Sequence, residues 1–300
     1  GGKLEAHATL DLASIELRAD RVAEALPLAR SASALAGAPD SPSAPLLEPA
    51  LYLLAVCEFR SNAWADAAPT LRRFVDLFPQ SATRTTVDVM LGDALLAMGD
   101  PGAAADAFRN ATSAPEPSTN AAALMKLGTA CALAHRWKQS EDAYTSFLSR
   151  FPEHDSWYQA RFGIGWAREN DGRHESAIDA YREVVGRHQG TTAAQAQFQV
   201  GECLFALKRL DEAARELLKV DILYAYPEWS AAALYEAGRC LSQLGKPEEA
   251  ARQFRAVTEK YGTTEWARLA TEQLSTKPQA SLPGHRPARS GTNPPSPTKQ

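Results

Sequence analysis

Four cysteines, six histidines and a large set of carboxylates are the side chains here that could ligate a metal, attack a carbonyl or move a proton. Their spacing argues against all three. Cys57, Cys131, Cys203 and Cys240 match no zinc-ligand spacing. Three of them stand two residues after a small residue of a regular column, and Ala94, Ala130 and Ala167 hold the same place elsewhere. A column that alternates Cys with Ala is a packing position. His7, His135, His154, His174, His188 and His285 form neither an HExxH motif nor an i,i+4 ligand pair. His135 and His174 fall in or beside turns, where a solvated imidazole is the ordinary case. Asp211-Glu212 and Glu248-Glu249 open predicted helices, where acids meet the positive end of the helix dipole. No phosphate-binding loop or nucleophile elbow is present, and Gly163 with Gly165 is not a phosphate loop. No catalytic residue, metal ligand or cofactor is therefore assigned.

The elements behind these residues repeat. Gly92, Gly128, Gly165, Gly201 and Gly238 are separated by 36, 37, 36 and 37 residues. Ala104, Ser140, Ala177, Ala213 and Ala250 each follow twelve residues later, and Ala55 with Ala67 extends the rule one period back. The residue before each first-column position is apolar: Leu54, Leu91, Leu127, Ile164, Val200, Ala237. Four residues beyond the second column stand Leu71, Phe108, Tyr144, Tyr181, Leu217 and Phe254. Offsets of this kind trace one face of a helix. Turn signals such as Gly99-Asp100-Pro101, Asp171-Gly172-Arg173 and Gly245-Lys246-Pro247 separate the columns. Each unit is predicted to be a helix A, a tight turn and a helix B. Both columns are small because the two helices cross there closely. One hairpin cannot bury its own apolar face, so neighbours must stack.

The pattern resembles the tetratricopeptide repeat. Leu127-Gly128, Ser140, Tyr144 and Pro152 stand at its signature positions, as do Leu54-Ala55, Ala67, Leu71 and Pro79. The resemblance implies an all-α fold, a right-handed superhelical solenoid of stacked helix–turn–helix repeats. The family period is about 34 residues, shorter than the one here. The excess lies after helix B, where Phe78-Pro79, Phe151-Pro152 and Tyr226-Pro227 close the unit. That variant looks like a bacterial cell-envelope subgroup that includes periplasmic coordinators of the Tol–Pal system and lipoproteins of outer-membrane assembly.

Ala13 and Ala25 repeat the twelve-residue spacing, so residues 1–40 are expected to hold a divergent first hairpin. Six repeats follow over 46–263, then a capping helix over 264–275. A basic Pro-rich tail over 276–300 has the composition of disorder. Segments 37–45 and 113–118 are read as proline-rich loops. The chain starts Gly1-Gly2-Lys3, which suggests a fragment or a removed leader. No apolar run of about 18 residues encodes a membrane helix. Net charge is −4, and the tail holds four bases and no acid, which leaves −8 on the rest. Such a body is a poor binder of nucleic acid.

In proteins this chain resembles, two columns of helix A line a concave groove. Three residues before the glycine they read Tyr52, Val89, Met125, Phe162, Phe198 and Tyr235. One residue after it they include Trp166, Glu202 and Arg239, with Asp93 in the first half. These residues could anchor a protein or peptide segment, or the rings could pack between adjacent helices. A clamp for a C-terminal carboxylate would need more bases here than Arg239. The expected function is a non-enzymatic protein-binding scaffold in the bacterial periplasm or cell envelope, with the cytoplasm as the alternative compartment. The competing reading is a regulatory or substrate-docking region of a larger enzyme whose catalytic domain lies upstream. A self-assembly module is the third.

Overall fold

The computed structural model describes residues 2–37, 43–113, 116–224 and 226–275. The tail, and parts of both proline-rich loops, lie outside them. Among the described residues the chain is built from α-helices, with one short 3-10 turn and no strand. It divides into two compact units, Gly1–His135 and Arg136–Gln300. The first holds α1 (Gly2–Arg18), α2 (Val22–Ala36), α3 (Leu47–Arg60), α4 (Trp64–Leu77), α5 (Arg84–Ala97), α6 (Pro101–Ala111) and α7 (Pro117–Leu133). The second holds α8 (Trp137–Arg150), α9 (Trp157–Asn170), α10 (His174–Arg187), α11 (Thr191–Ala206), α12 (Leu210–Leu223), α13 (Pro227–Gln243), α14 (Pro247–Lys260) and α15 (Glu265–Ser275). The segment read as a loop over 113–118 is shorter than expected. Pro117 and Ser118 already belong to the first turn of α7, where proline's fixed φ and missing N–H cost nothing. Among the described residues no helix is long and apolar enough to cross a membrane.

Odd-numbered helices from α1 to α13 are A helices, and each even-numbered one is a B helix. A side-chain carbon built on Gly165 would stand 2.6 Å from the Tyr181 ring, and one on Gly238 the same distance from Phe254. Gly92 meets Phe108 and Gly201 meets Leu217 in the same way. The large residue four positions after the alanine column thus fills the space that the missing side chain leaves. Every A–B turn places one residue in the left-handed region: Asp20, Asn62, Gly99, His135, Gly172, Lys208 and Gly245. Glycine takes that conformation freely. Four of the seven turns use a residue that does not.

Within each unit every A helix after the first packs on the B helix before it. The packing face of the A helix carries small residues: Ala50, Val87, Ala160, Ala196 and Ala233 have no accessible surface. Gly163 extends this close approach, since the Tyr144 ring of α8 occupies the place of its side chain. Successive A helices also touch, α1 to α3 to α5 to α7 in the first unit and α9 to α11 to α13 to α15 in the second. Among the described residues no two B helices come comparably close. Each unit therefore curves with its A helices on the inside.

In the second unit an ion-pair ladder ties the starts of the B helices together. Arg173 Nη2 donates to Glu141 Oε2 at 2.6 Å. Arg209 Nη1 donates to Glu175 Oε1 at 3.1 Å, and Lys246 Nζ to Asp211 Oδ1 at 3.5 Å. Each base stands at the helix start, where by itself it would oppose the helix dipole. The acid of the preceding hairpin offsets that.

Candidate protein-binding surface

The column three residues before the glycine turns inward, and its rings close on their own B helix at Tyr52, Phe162 and Tyr235 and on the next A helix at Phe198 and Tyr235. Phe162 has no accessible surface and its ring lies 5.2 Å from that of Tyr181. Tyr235 is buried between Phe254 at 5.6 Å and Trp266 at 5.4 Å. Phe198 is buried beside Trp229 at 5.7 Å. In the first unit Tyr52 is half-buried with Phe74 at 6.2 Å, Val89 is half-buried and Met125 is buried. Of the two roles open to these rings, the geometry displays packing. Phe162 is closed to any partner in the free chain.

The column one residue after the glycine stands nearer the inner surface. Trp166 retains 8% of its surface. Glu202 is buried. Arg239 is half-buried, donates to Glu236 Oε2 at 2.6 Å and places its guanidinium 5.4 Å from the Phe205 ring centre. Phe205 itself is half-buried, and Asn170, Ala206, Ser242 and Gln243 at the ends of α9, α11 and α13 are exposed. In the first unit Asp93 does not offer an open charge. Lys126 Nζ donates to both of its carboxylate oxygens at 2.6 Å. A basic partner docking beside Asp93 would have to displace that lysine.

Several buried polar groups were not anticipated from the sequence. Glu141 joins three helices: it accepts from Arg168 Nε at 2.8 Å and from Arg173, while Arg168 also donates to the Ser176 carbonyl. Burial would raise the Glu141 carboxyl, but these bonds outweigh it and hold the group below the ordinary carboxylate range. Tyr181 Oη donates to Glu169 Oε2 at 2.9 Å in the core. Glu58 and Asp88 show the opposite balance. Burial pushes both carboxyls up, against the pull of Arg30 and Arg84. The signal available in the sequence was a charged residue inside an apolar helix face, which does not say what will meet it.

The four cysteines are free thiols without accessible surface. Burial raises Cys57 to about 11 and Cys240 to about 12. Thiols held protonated in this way are poor nucleophiles and poor metal ligands.

Among solved structures, the apo form of RapI is 13% identical, with a TM-score of 0.60 over 88% of this chain and 79% of that one. A tetratricopeptide repeat protein from Parabacteroides merdae ATCC 43184 is 14% identical, with a TM-score of 0.51 over 91% and 98%. MamA protein is 20% identical, with a TM-score of 0.49 over 60% and 90%. At these identities the likeness concerns the fold. No curated protein matches the sequence. The family profiles called tetratricopeptide repeat match residues 89–155, 134–192 and 162–227, and residues 49–81 and 232–264. Together they span most of the helical array, and the chain belongs to the tetratricopeptide repeat family.

Proposed function

We propose that the chain is a non-enzymatic scaffold that holds a segment of another protein on the inner surface of its second unit, made by α9, α11 and α13. The observation that carries this reading is the curvature: successive A helices touch while B helices do not. That makes the A-helix surface concave, and concave surfaces bury the most area of a narrow ligand. Trp166, Phe205 and Arg239 are the contact residues, with Glu202 beneath them. Phe162, Phe198 and Tyr235 support the surface from below, and Tyr52, Val89 and Met125 do the same in the first unit. An apolar anchor on the partner fits beside Trp166 and Phe205. The compartment we propose is the bacterial cell envelope, supported by the long period and by the aromatic–proline closures at Phe78, Phe151 and Tyr226.

Peptides selected from a displayed library on the immobilised chain test the proposal. Trp166→Ala should weaken their binding by about 2 kcal/mol, roughly thirtyfold, beyond what the loss of folded protein accounts for, with an earlier melt because the ring keeps only 8% of its surface. If binding falls only with the folded fraction, Trp166 is core and the proposed surface loses its central anchor.

A further inference from the structure

Two cations converge on the half-buried ring of Phe205 in the last turn of α11. Lys208 Nζ lies 5.6 Å and the Arg239 guanidinium 5.4 Å from its ring centre. Lys208 comes from the A–B turn of the same hairpin and is exposed, and Arg239 comes from α13 and is half-buried. Lys208 holds its place against its backbone. It stands at φ 63° in the turn position that Gly99, Gly172 and Gly245 hold elsewhere, where a lysine is strained. The end of α11 favours a base, yet the other six A–B turns hold that position without Lys or Arg. Strain that persists at an exposed residue points to a use for its side chain. Arg239 is fixed from α13 itself, since its Nη1 donates to Glu236 Oε2 at 2.6 Å. That bond takes one of the several N–H donors of a guanidinium. Glu236 is buried, and so is Glu202, one turn before Phe205. The charges that an incoming segment meets beside this ring are therefore positive.

We infer that Lys208 and Arg239 bind a carboxylate of the partner, an Asp or Glu side chain set against the edge of the Phe205 ring. The inference rests on the inner-surface reading above and names the partner's chemistry there. The edge of an aromatic ring is its positive part and its face the negative one. A carboxylate at the edge thus leaves both cations their places over the ring. Two bases held near each other repel, and an acid between them relieves that repulsion. An apolar residue of the partner rests on Trp166 and Phe205, so its acid falls within about three residues, at roughly 3.3 Å per residue of an extended segment. Glu236 is a positioning residue that holds the Arg239 fork in place.

Peptides selected from the displayed library, resynthesised with amidated C-termini, test the inference. Binders that depend on Trp166 should carry Asp or Glu near their apolar residue. Changing that acid to its amide should weaken binding to the parent about tenfold. Arg239→Gln made together with Glu236→Gln should weaken the acidic peptide about tenfold and remove the difference between its acid and amide forms. Lys208→Gly should weaken the acidic peptide about threefold, measured where both proteins are folded, although relief of strain should make it melt later than the parent. Weaker binding by a more stable variant is what a structural role for Lys208 does not give. Binders that need Trp166 but carry no acid, or whose acid and amide forms bind alike, overturn the inference and leave the inner-surface reading standing. Full binding of the acidic peptide by Lys208→Gly overturns it as well. Binders indifferent to Trp166 overturn both.

Discussion

Gly165 shows how much one residue can decide in a stacked hairpin. Its missing side chain is the space taken by the Tyr181 ring, and that ring in turn covers Phe162. Gly165→Leu should lower stability by about 1–3 kcal/mol or more through overpacking, read as an earlier thermal melt. An unchanged melting temperature would mean that α9 and α10 can part without cost. The cysteines supply a second expectation. Thiols without accessible surface should resist alkylation in the native chain at neutral pH and all four should react once it is unfolded, as mass spectrometry can count. A thiol that reacts fast in the native chain would contradict its placement. The glycine and alanine columns were legible because a small residue recurring at a fixed spacing points to close helix crossing and to little else. The aromatic column was not. Periodicity says on which face Phe162 lies, and not whether the neighbouring ring of Tyr181 will close over it.

Between residues and the stack stand the turns and the ion pairs. Lys208 sits at φ 63° in the turn position that Gly99, Gly172 and Gly245 hold elsewhere. A side chain there crowds the backbone, at roughly 1–2 kcal/mol. Lys208→Gly should therefore raise the melting temperature, by a free energy of up to about 1 kcal/mol once its loss of contacts and added chain entropy are counted. A lower melting temperature would show that the Lys208 contact with Phe205 outweighs the strain. Glu141 binds α8 to α9 and α10, and its carboxyl is held below the ordinary range. A depressed carboxyl contributes stability above its unfolded value near 4.5, and that contribution fades as the pH falls through the folded value. Glu141→Gln should cost about 1–3 kcal/mol at pH 7, and the difference should shrink when both proteins are melted at acid pH. A gap that stays constant would place the effect in packing and not in charge. Helix existence was plain in the sequence, yet two features were hidden. Asp20, Asn62 and His135 take the left-handed conformation more readily than most residues, but Lys208 does not, so the full turn column emerges only from backbone angles. Pro27 and Pro69 lie inside α2 and α4, each two residues past its alanine column, where packing overrides a helix breaker's preference.

At the scale of the molecule, each compact unit is a run of hairpins whose A helices line the inner side. Repetition makes this legible from sequence, because one rule applied at every period fixes the same packing each time. The inner surface itself was only half legible. The columns that face it could be counted, but their depth depends on how tightly successive A helices close, and that follows from side-chain volumes summed over several hairpins. The result is a surface with few large rings open to solvent: Phe205 is half-buried, Trp166 keeps 8% of its surface, and Phe162, Phe198 and Tyr235 are buried. Hydrogen exchange of the chain with and without a library-selected peptide tests whether this inner surface is where a partner binds. Added protection is expected in α9, α11 and α13, with α10, α12 and α14 unchanged. Protection confined to the B helices, or spread evenly over both sets, would contradict binding on the inner surface.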